Sequence, residues 1–415
     1  MRRRTRIRQP GNPAGKYEVV VVGGAGHVGA PLSIVLAKKG FRTLIYDISQ
    51  GALDTLAAGE LPFLEEGGAP LLKEVVANRS LGFSNNVADI RGIPYVILTI
   101  GTPVDEFHNP VLRVLTDCMD ILLPHLTDDQ TLILRSTVFP GATDFLDGYL
   151  RKRGRKTLVA FCPERVVQGK AIQEIQSLVQ MISGTTPAAE ERAARLFSRV
   201  ARKVVRLKPM EAEFAKLFCN AYRYMQFAIA NQFYMLTNAA GLSYARIRKG
   251  LMEDYPRMRD LPGAGFAAGP CLYKDTLQLV AFSENQMGLG LSAIQVNEGM
   301  PAHIVARLKE KFPLRRMTVG LLGMSFKAES DDARSSLSYK LKKLLVLHAK
   351  NVLATDPFVT ADATLLPLKE VVRRSDLLVL CTPHSIYANS DLRGKPVFDI
   401  WSFFGTDSCP TRPRT

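Results

Sequence analysis

One stretch limits the possible folds more than any other. From Tyr17 the chain reads YEVVVVGGAGHVGAPLSIVLAKKGFRTLIYDIS, a β-branched apolar run, a glycine turn, a helix-forming segment and a second apolar run ending in Asp47. Strand, tight turn, helix and strand in that order predict a βαβ unit, and a parallel sheet with it. Gly24, Gly26 and Gly29 form GxGxxG within the unit. Gly24 permits the turn, Gly26 lets the backbone approach a pyrophosphate, and Gly29 lets the helix pack on the strand, which aims the helix N-terminus at the phosphates. Asp47 stands 18 positions after Gly29. A carboxylate there accepts hydrogen bonds from adenosine ribose hydroxyls and repels a 2′-phosphate, so NAD is expected as the cofactor over NADP.

The alternation continues. Apolar runs at 95–103, 131–138, 158–165 and 178–184 are separated by helical or loop segments and end in polar or Gly/Pro clusters, the pattern of a parallel α/β sheet. Ligands of open sheets lie beyond the carboxyl ends of the strands, which makes Thr102, Ser136, Thr137 and Glu164 candidates to face one. Between about Glu211 and Ala240 there is neither Pro nor Gly, and apolar residues recur at three- and four-residue spacing. This predicts a long helix, apolar on more than one face and suited to burial against a partner chain as well as its own. Lys216 and Asn220 share one of its faces. Beyond Pro301 four more apolar runs predict a second, smaller sheet that lacks GxGxxG. The expected architecture is α/β, with two Rossmann-like, doubly wound parallel-sheet lobes joined by a long central helix. Its divisions are a basic tail (1–16), a dinucleotide-binding domain (17–208), a helical dimerisation domain (209–300) and a second nucleotide-binding domain (301–415).

Composition removes other classes. A chain of 415 residues, 47% of them hydrophobic, can bury more than one core. Six cysteines without a CxxC pair and six histidines without a ligand cluster suggest neither a disulfide framework nor a metal site, which fits a reducing cytoplasm. No apolar run reaches the roughly 18 residues of a membrane span. Of the net charge of +15, the first 16 residues carry +6, read as a solvated, disordered arm. The arm has no interleaved aromatics, and no nucleic-acid partner is expected. The remaining +9 suits an anionic substrate such as a nucleotide.

GPCLYKD (269–275) sets Cys271 between a Gly-Pro corner and the charges of Lys274 and Asp275, on a loop loosened by Gly263, Gly265 and Gly269. Taken in order, GAGHVG, the Thr102-Pro103 turn, STVFPG (136–141), CPERVVQG (162–169), the Lys216/Asn220 helix, GPCLYKD and GMSFKAESDDARSS resemble the nucleotide-sugar 6-dehydrogenases, the family of UDP-glucose and UDP-N-acetylmannosamine dehydrogenases. The similarity runs from about Tyr17 to Trp401. That family uses two NAD in succession to take a sugar C6 alcohol through an aldehyde to a carboxylate. An aldehyde must become tetrahedral before it can release a second hydride, and a thiolate adding to it forms a thiohemiacetal that can; the resulting thioester is then hydrolysed.

The resemblance implies Cys271 as nucleophile, Lys216 and Asn220 as oxyanion stabilisers, and Thr137 and Asp275 as groups that position water. It implies cofactor contacts from Gly24, Gly26, His27, Val28, Gly29, Asp47, Thr102, Lys274 and Arg334. Substrate contacts are implied for Glu164, Arg165, Val166, Gly265 and Lys327, with Arg257 reaching a neighbouring subunit's sugar. No metal is implied, and the partners are a UDP-sugar and a second copy of the chain in a homodimer or larger assembly. Gln168 stands where UDP-glucose enzymes carry a glutamate, and the PERV form resembles the branch acting on UDP-N-acetylhexosamines. That sugar class is preferred, with UDP-glucose as the alternative. Ala267, Ala268 and Pro270 also depart from the family pattern and are expected to narrow the sugar pocket or slow turnover. A catalytically silent nucleotide-sugar or NAD-binding protein, or a nucleic-acid-binding role for the arginine tail, are the readings from other classes.

Overall fold

The computed structural model describes residues 16–105 and 111–405. The arginine-rich segment read as a disordered arm lies outside the described residues, apart from Lys16. The chain forms two compact units, the first ending at Leu217 and the second beginning at Phe218.

The first unit is built on eight strands: β1 (Val19–Val22), β2 (Thr43–Tyr46), β3 (Leu81–Ser84), β4 (Tyr95–Leu98), β5 (Thr131–Leu134), β6 (Leu158–Phe161), β7 (Val179–Gly184) and β8 (Lys203–Arg206). Their order is β3-β2-β1-β4-β5-β6-β7-β8. Val19 to Val22 are buried throughout, as expected of a central strand covered on both faces. The order reverses between β1 and β4, and the crevice beyond their carboxyl ends is where such sheets bind ligands. β3 and β8 were not among the runs read as strands. The expectation of a wholly parallel sheet is corrected at β7, which pairs antiparallel to β6, while β8 runs parallel to β7. Apolar runs and glycine punctuation are the same in either direction, so the sequence pattern does not encode this reversal.

The helix Pro209–Ala239 runs 31 residues, about 46 Å at 1.5 Å per residue. Pro209 opens it, Glu211 accepts the Lys208 N–H at 2.8 Å, and at its end Gly241 takes φ 72° while Leu242 N–H reaches Thr237 O at 2.8 Å. These are the start and stop devices that free backbone groups at helix ends require. Phe218, Tyr222, Ile229, Phe233 and Leu236 form one exposed stripe along it. Asn220 and Asn231, both buried, lie about 180° around the helix from that stripe.

The second unit holds a parallel sheet of β9 (Thr318–Leu322), β10 (Asn351–Thr355), β11 (Leu377–Leu380) and β12 (Val397–Asp399), in the order β10-β9-β11-β12. One core joins β9 and β11 to Tyr234, Phe266, Met300, Ile304 and Leu341. Pro301 lies inside the helix Gly288–Lys311 and is buried.

Candidate active site

In the first unit the glycine turn after β1 divides three tasks among its residues. Gly23, which precedes the GxGxxG glycines, carries the left-handed conformation of the turn, φ +72°. Gly24 instead meets a space limit, since a Cβ there falls 2.7 Å from Val21 O and 3.0 Å from the Ile45 side chain. A Cβ on Gly29 falls 2.5 Å from Gly24 Cα and 2.8 Å from Thr99 Oγ1, so helix and strand pack as closely as expected. At Gly26 the nearest protein atom to such a Cβ is 3.8 Å away, leaving room outside the turn that a phosphate can use. The helix Gly29–Lys38 starts at Val28 with no side-chain cap and no acid in its first turn, so its N–H groups and positive dipole end suit an anion. Asp47 accepts the Ala25 N–H through Oδ2 and the Ser49 N–H through Oδ1, both at 3.0 Å. Each oxygen keeps a second lone pair with which to accept a ribose hydroxyl. His27 stacks on Phe63 with ring centroids 4.2 Å apart. The uncapped helix, the open Gly26 and the carboxylate together fit NAD.

Beyond β4 and β5, Thr102 Oγ1 donates to Thr137 O at 2.6 Å, and Ser136 Oγ donates to Ile100 O at 2.5 Å. Ser136 therefore ties two loops together. The turn carrying Glu164, Arg165 and Val166 follows β6. Glu164 accepts the Val166 N–H, and Arg165 donates to Val179 O. Two residues that sequence reasoning missed hold this turn from below. Arg135, 2% exposed, donates to Cys162 O at 3.1 Å and to Gln180 Oε1 at 2.8 Å, and Gln180 Nε2 donates to Pro163 O at 2.9 Å. Burial pushes the Arg135 guanidinium down from its usual range, opposed by the negative charge of Glu164. A charged residue inside an apolar strand, TLILRS, was the available signal. Lys216, on the long helix, is buried at 7% exposure.

In the second unit Cys271 is exposed and caps the helix Leu272–Phe282 at its N-terminus. One turn on, the Asp275 N–H donates to Cys271 O at 2.9 Å. Asp275 is fully buried; its Oδ2 accepts from Asn220 Nδ2 at 2.6 Å, and its Oδ1 lies 3.5 Å from Lys274 Nζ. The fold thus brings together Cys271, Lys274, Asp275 and Asn220. It also brings Arg334 within electrostatic reach of the Cys271 sulfur, while both oxygens of Asp332 clamp the guanidinium at 2.6 to 3.1 Å.

The loop before Cys271 is held at two glycines. Gly265, φ +151°, donates to Asn231 Oδ1 at 2.9 Å, and a Cβ on it falls 2.2 Å from the Trp401 ring. Gly269, φ +105°, donates to Ser335 O at 3.3 Å, and a Cβ on it falls 2.6 Å from the Phe326 ring. Asn231 was missed, although it lies three turns from Asn220 on the same face, and Asn297 orients it at 2.9 Å. The Ala267 methyl points into a cluster with Tyr224, Ala228 and Ala293, and Ala268 packs on the core beside β9. Lys327 follows Phe326 on the turn after β9. Arg257 is exposed and donates to Tyr255 Oη at 3.2 Å.

Among the described residues no group of three or more His, Cys, Asp or Glu is gathered as a metal would require, and no helix is long and apolar enough to cross a membrane. Models of the UDP-glucose/GDP-mannose dehydrogenase family match the chain in three parts: the NAD binding domain over residues 18–201, the central domain over 210–299 and the UDP binding domain over 320–406. The chain is 28% identical over 380 residues to a UDP-N-acetyl-D-mannosamine dehydrogenase of Pyrococcus horikoshii, covering 88% of this chain and 89% of the other. It is 28% identical over 362 residues to a UDP-N-acetyl-D-glucosamine 6-dehydrogenase of Pseudomonas aeruginosa, covering 83% of each. The solved structure of a UDP-D-ManNAc dehydrogenase from Pyrococcus horikoshii matches with a TM-score of 0.85 at 25% identity, over 96% of this chain and 97% of that one.

Proposed function

The chain belongs to the UDP-glucose/GDP-mannose dehydrogenase family and is an NAD-dependent nucleotide-sugar dehydrogenase; from that premise we propose that it oxidises the C6 alcohol of a UDP-N-acetylhexosamine, UDP-N-acetylmannosamine or UDP-N-acetylglucosamine, to the uronic acid, with Cys271 as nucleophile. The observation that carries this reading is the exposed Cys271 at a helix N-terminus, one turn before the buried Asp275–Asn220 pair. The PERV turn and the N-acetylated sugars named for the relatives support the substrate class.

Gly24, Gly26, Gly29 and the helix N-terminus would hold the NAD pyrophosphate, Asp47 the adenosine ribose, and His27, Val28, Thr102, Lys274 and Arg334 its remaining length. When bound, NAD supplies the hydride acceptor for each two-electron stage. Between the stages, Cys271 Sγ adds to the aldehyde carbon and a C–S bond forms. The oxygen then carries negative charge, which the Lys216 ammonium and the Asn220 amide stabilise. Loss of the second hydride leaves a thioester. Water held by Asp275 and Thr137 attacks it, the C–S bond breaks, and carboxylate and thiol are released. Glu164, Arg165, Val166, Gly265 and Lys327 hold the sugar nucleotide, and Arg257 reaches the sugar of a neighbouring subunit.

The same reading divides the chain into an NAD-binding domain (17–208), a central dimerisation domain (209–300) and a UDP-sugar-binding domain (301–415). The exposed stripe of the long helix supports a homodimer, because five large apolar side chains on one face gain most from meeting their copies. A cytoplasmic setting, where a thiol nucleophile stays reduced, belongs to this reading as well.

The test is NADH formation with UDP-glucose, UDP-N-acetylglucosamine, UDP-N-acetylmannosamine and UDP-N-acetylgalactosamine, for the wild type and Cys271→Ser. Two NADH per sugar on one N-acetylated substrate, lost in the variant, is the expected result. Turnover of UDP-glucose alone would overturn the substrate class, and silence on all four with NAD still bound would favour a binding protein.

A further inference from the structure

The turn that carries Lys327 is held from beneath by groups to which the reaction gives no role. Asp356 directly follows β10, and its carboxylate is fully buried. Its Oδ2 accepts the N–H groups of Met324 and Ser325 at 2.6 and 2.9 Å, and its Oδ1 those of Phe358 and Val359 at 2.8 and 3.0 Å. Burial alone would push this carboxyl up, but hydrogen bonds from His384 and the backbone outweigh it and hold it at about 2.

His384, just beyond β11, is also fully buried, with its ring edge-on to Phe358 and Tyr387. Its Nδ1 lies 3.1 Å from the Glu329 backbone N. A backbone N–H only donates, so Nδ1 accepts in this pair, and the ring N–H that faces Asp356 sits on Nε2. Nε2 is 3.1 Å from Asp356 Oδ2 and 3.2 Å from Ser325 Oγ. Ser325 Oγ in turn donates to Lys327 O at 2.8 Å, and Ser325 O accepts from Thr382 Oγ1 at 2.7 Å. One ring therefore reaches both ends of residues 325–329, the far end through its own acceptor and the near end beside the Asp356 carboxylate that anchors it. The same turn presents Phe326 to Gly269, two residues before Cys271.

We propose that His384 is a positioning residue for the sugar nucleotide: its Nδ1 fixes the far end of the turn through the Glu329 N–H, while Asp356 itself holds the near end, and this sets the place of Lys327. This rests on the reading that Lys327 and the 320–406 domain hold the UDP portion of the substrate. Without the Nδ1 acceptor the Glu329 N–H must seek water, and the turn loosens around Lys327.

The experiment measures UDP and NAD binding to the full chain by titration calorimetry for wild type, His384→Gln, His384→Asn and Lys327→Met. The Gln amide reaches the Nε2 position and keeps a donor for Asp356, whereas the Asn oxygen occupies the Nδ1 position and keeps the acceptor for Glu329. UDP affinity is expected to fall roughly tenfold in His384→Gln and to be largely restored in His384→Asn. NAD affinity should not change in either variant. Equal losses for UDP and NAD, or equal UDP losses in the Gln and Asn variants, would mean a general structural role and overturn the proposal. UDP binding that Lys327→Met weakens but His384→Gln leaves intact overturns the inference alone. Wild type that binds no UDP, or is indifferent to Lys327→Met, removes the underlying reading and the inference with it.

Discussion

The glycines of the first turn can be separated experimentally into one that serves binding and one that serves packing. At Gly29 an added Cβ lies 2.5 Å from Gly24 Cα and 2.8 Å from both Gly23 O and Thr99 Oγ1. Two of those atoms are backbone, so the contact is relieved only by moving the helix off the strand. Overpacking of this kind costs about 1–3 kcal/mol, and at about 2–4 °C per kcal/mol for a unit of this size Gly29→Ala should lower Tm by about 2–12 °C. At Gly26 the nearest atom is 3.8 Å away and φ is not positive, so alanine fits the folded chain without strain. Removing glycine's extra unfolded-state freedom raises stability by about 0.4–1 kcal/mol at such sites. The methyl nevertheless occupies the space through which a pyrophosphate approaches the backbone. Losing one charge-assisted hydrogen bond there, about 1.5–3 kcal/mol, weakens NAD binding by about 10- to 150-fold. Scanning fluorimetry without ligand and calorimetry with NAD read the two effects apart. If Gly26→Ala bound NAD like the wild type, the cofactor would not pass over this turn and the assignment would be refuted. An unchanged Tm in Gly29→Ala would refute the packing argument.

Two further outcomes follow from the second unit. Because the Asp356 carboxyl is held at about 2, below its unfolded value of about 3.9, it contributes stability above that unfolded value and loses it as pH falls toward 2. The stability gap between wild type and Asp356→Asn should therefore narrow by about 2–3 kcal/mol between pH 5 and pH 2 in denaturant titrations, and a gap independent of pH would contradict the assignment. On the long helix, Leu236 is 61% exposed and Phe218 56%. The double variant Phe218→Glu/Leu236→Glu should sediment as a monomer with Tm little changed, and an unaltered sedimentation coefficient would place any self-association elsewhere.

How much of this was legible depended on how local each signal was. GxGxxG and Asp47 could be read because one βαβ unit contains the whole device, and the long helix because nothing interrupts it over 31 residues. The reversed direction of β7 could not be read, since alternation of apolar and polar runs does not change with strand direction. Gly23 was hidden by its neighbour, because a Gly-Gly pair does not say which member takes φ +72°. Asn231, Arg135 and His384 act on backbone groups 34, 27 and 55 positions away, and a lone polar residue in an apolar context carries no address. The cysteine motif singled out Cys271 as the proposed nucleophile, but only the fold showed that Asp275 spends one oxygen on Asn220.

The two sheets repeat a device with opposite consequences. Each has a carboxylate just beyond the strand beside its first strand, Asp47 after β2 and Asp356 after β10, and each carboxylate accepts backbone N–H groups of the turn across from it. Asp47 is half-open and can take a ribose, whereas all of Asp356 is committed to five groups of its own unit. A dinucleotide arriving at the second sheet finds no ribose acceptor in Asp356. Such a seal removes a competitor: an NAD-dependent dehydrogenase works in the presence of that ligand, and through Asp356 its own cosubstrate gains no foothold in the UDP binding domain.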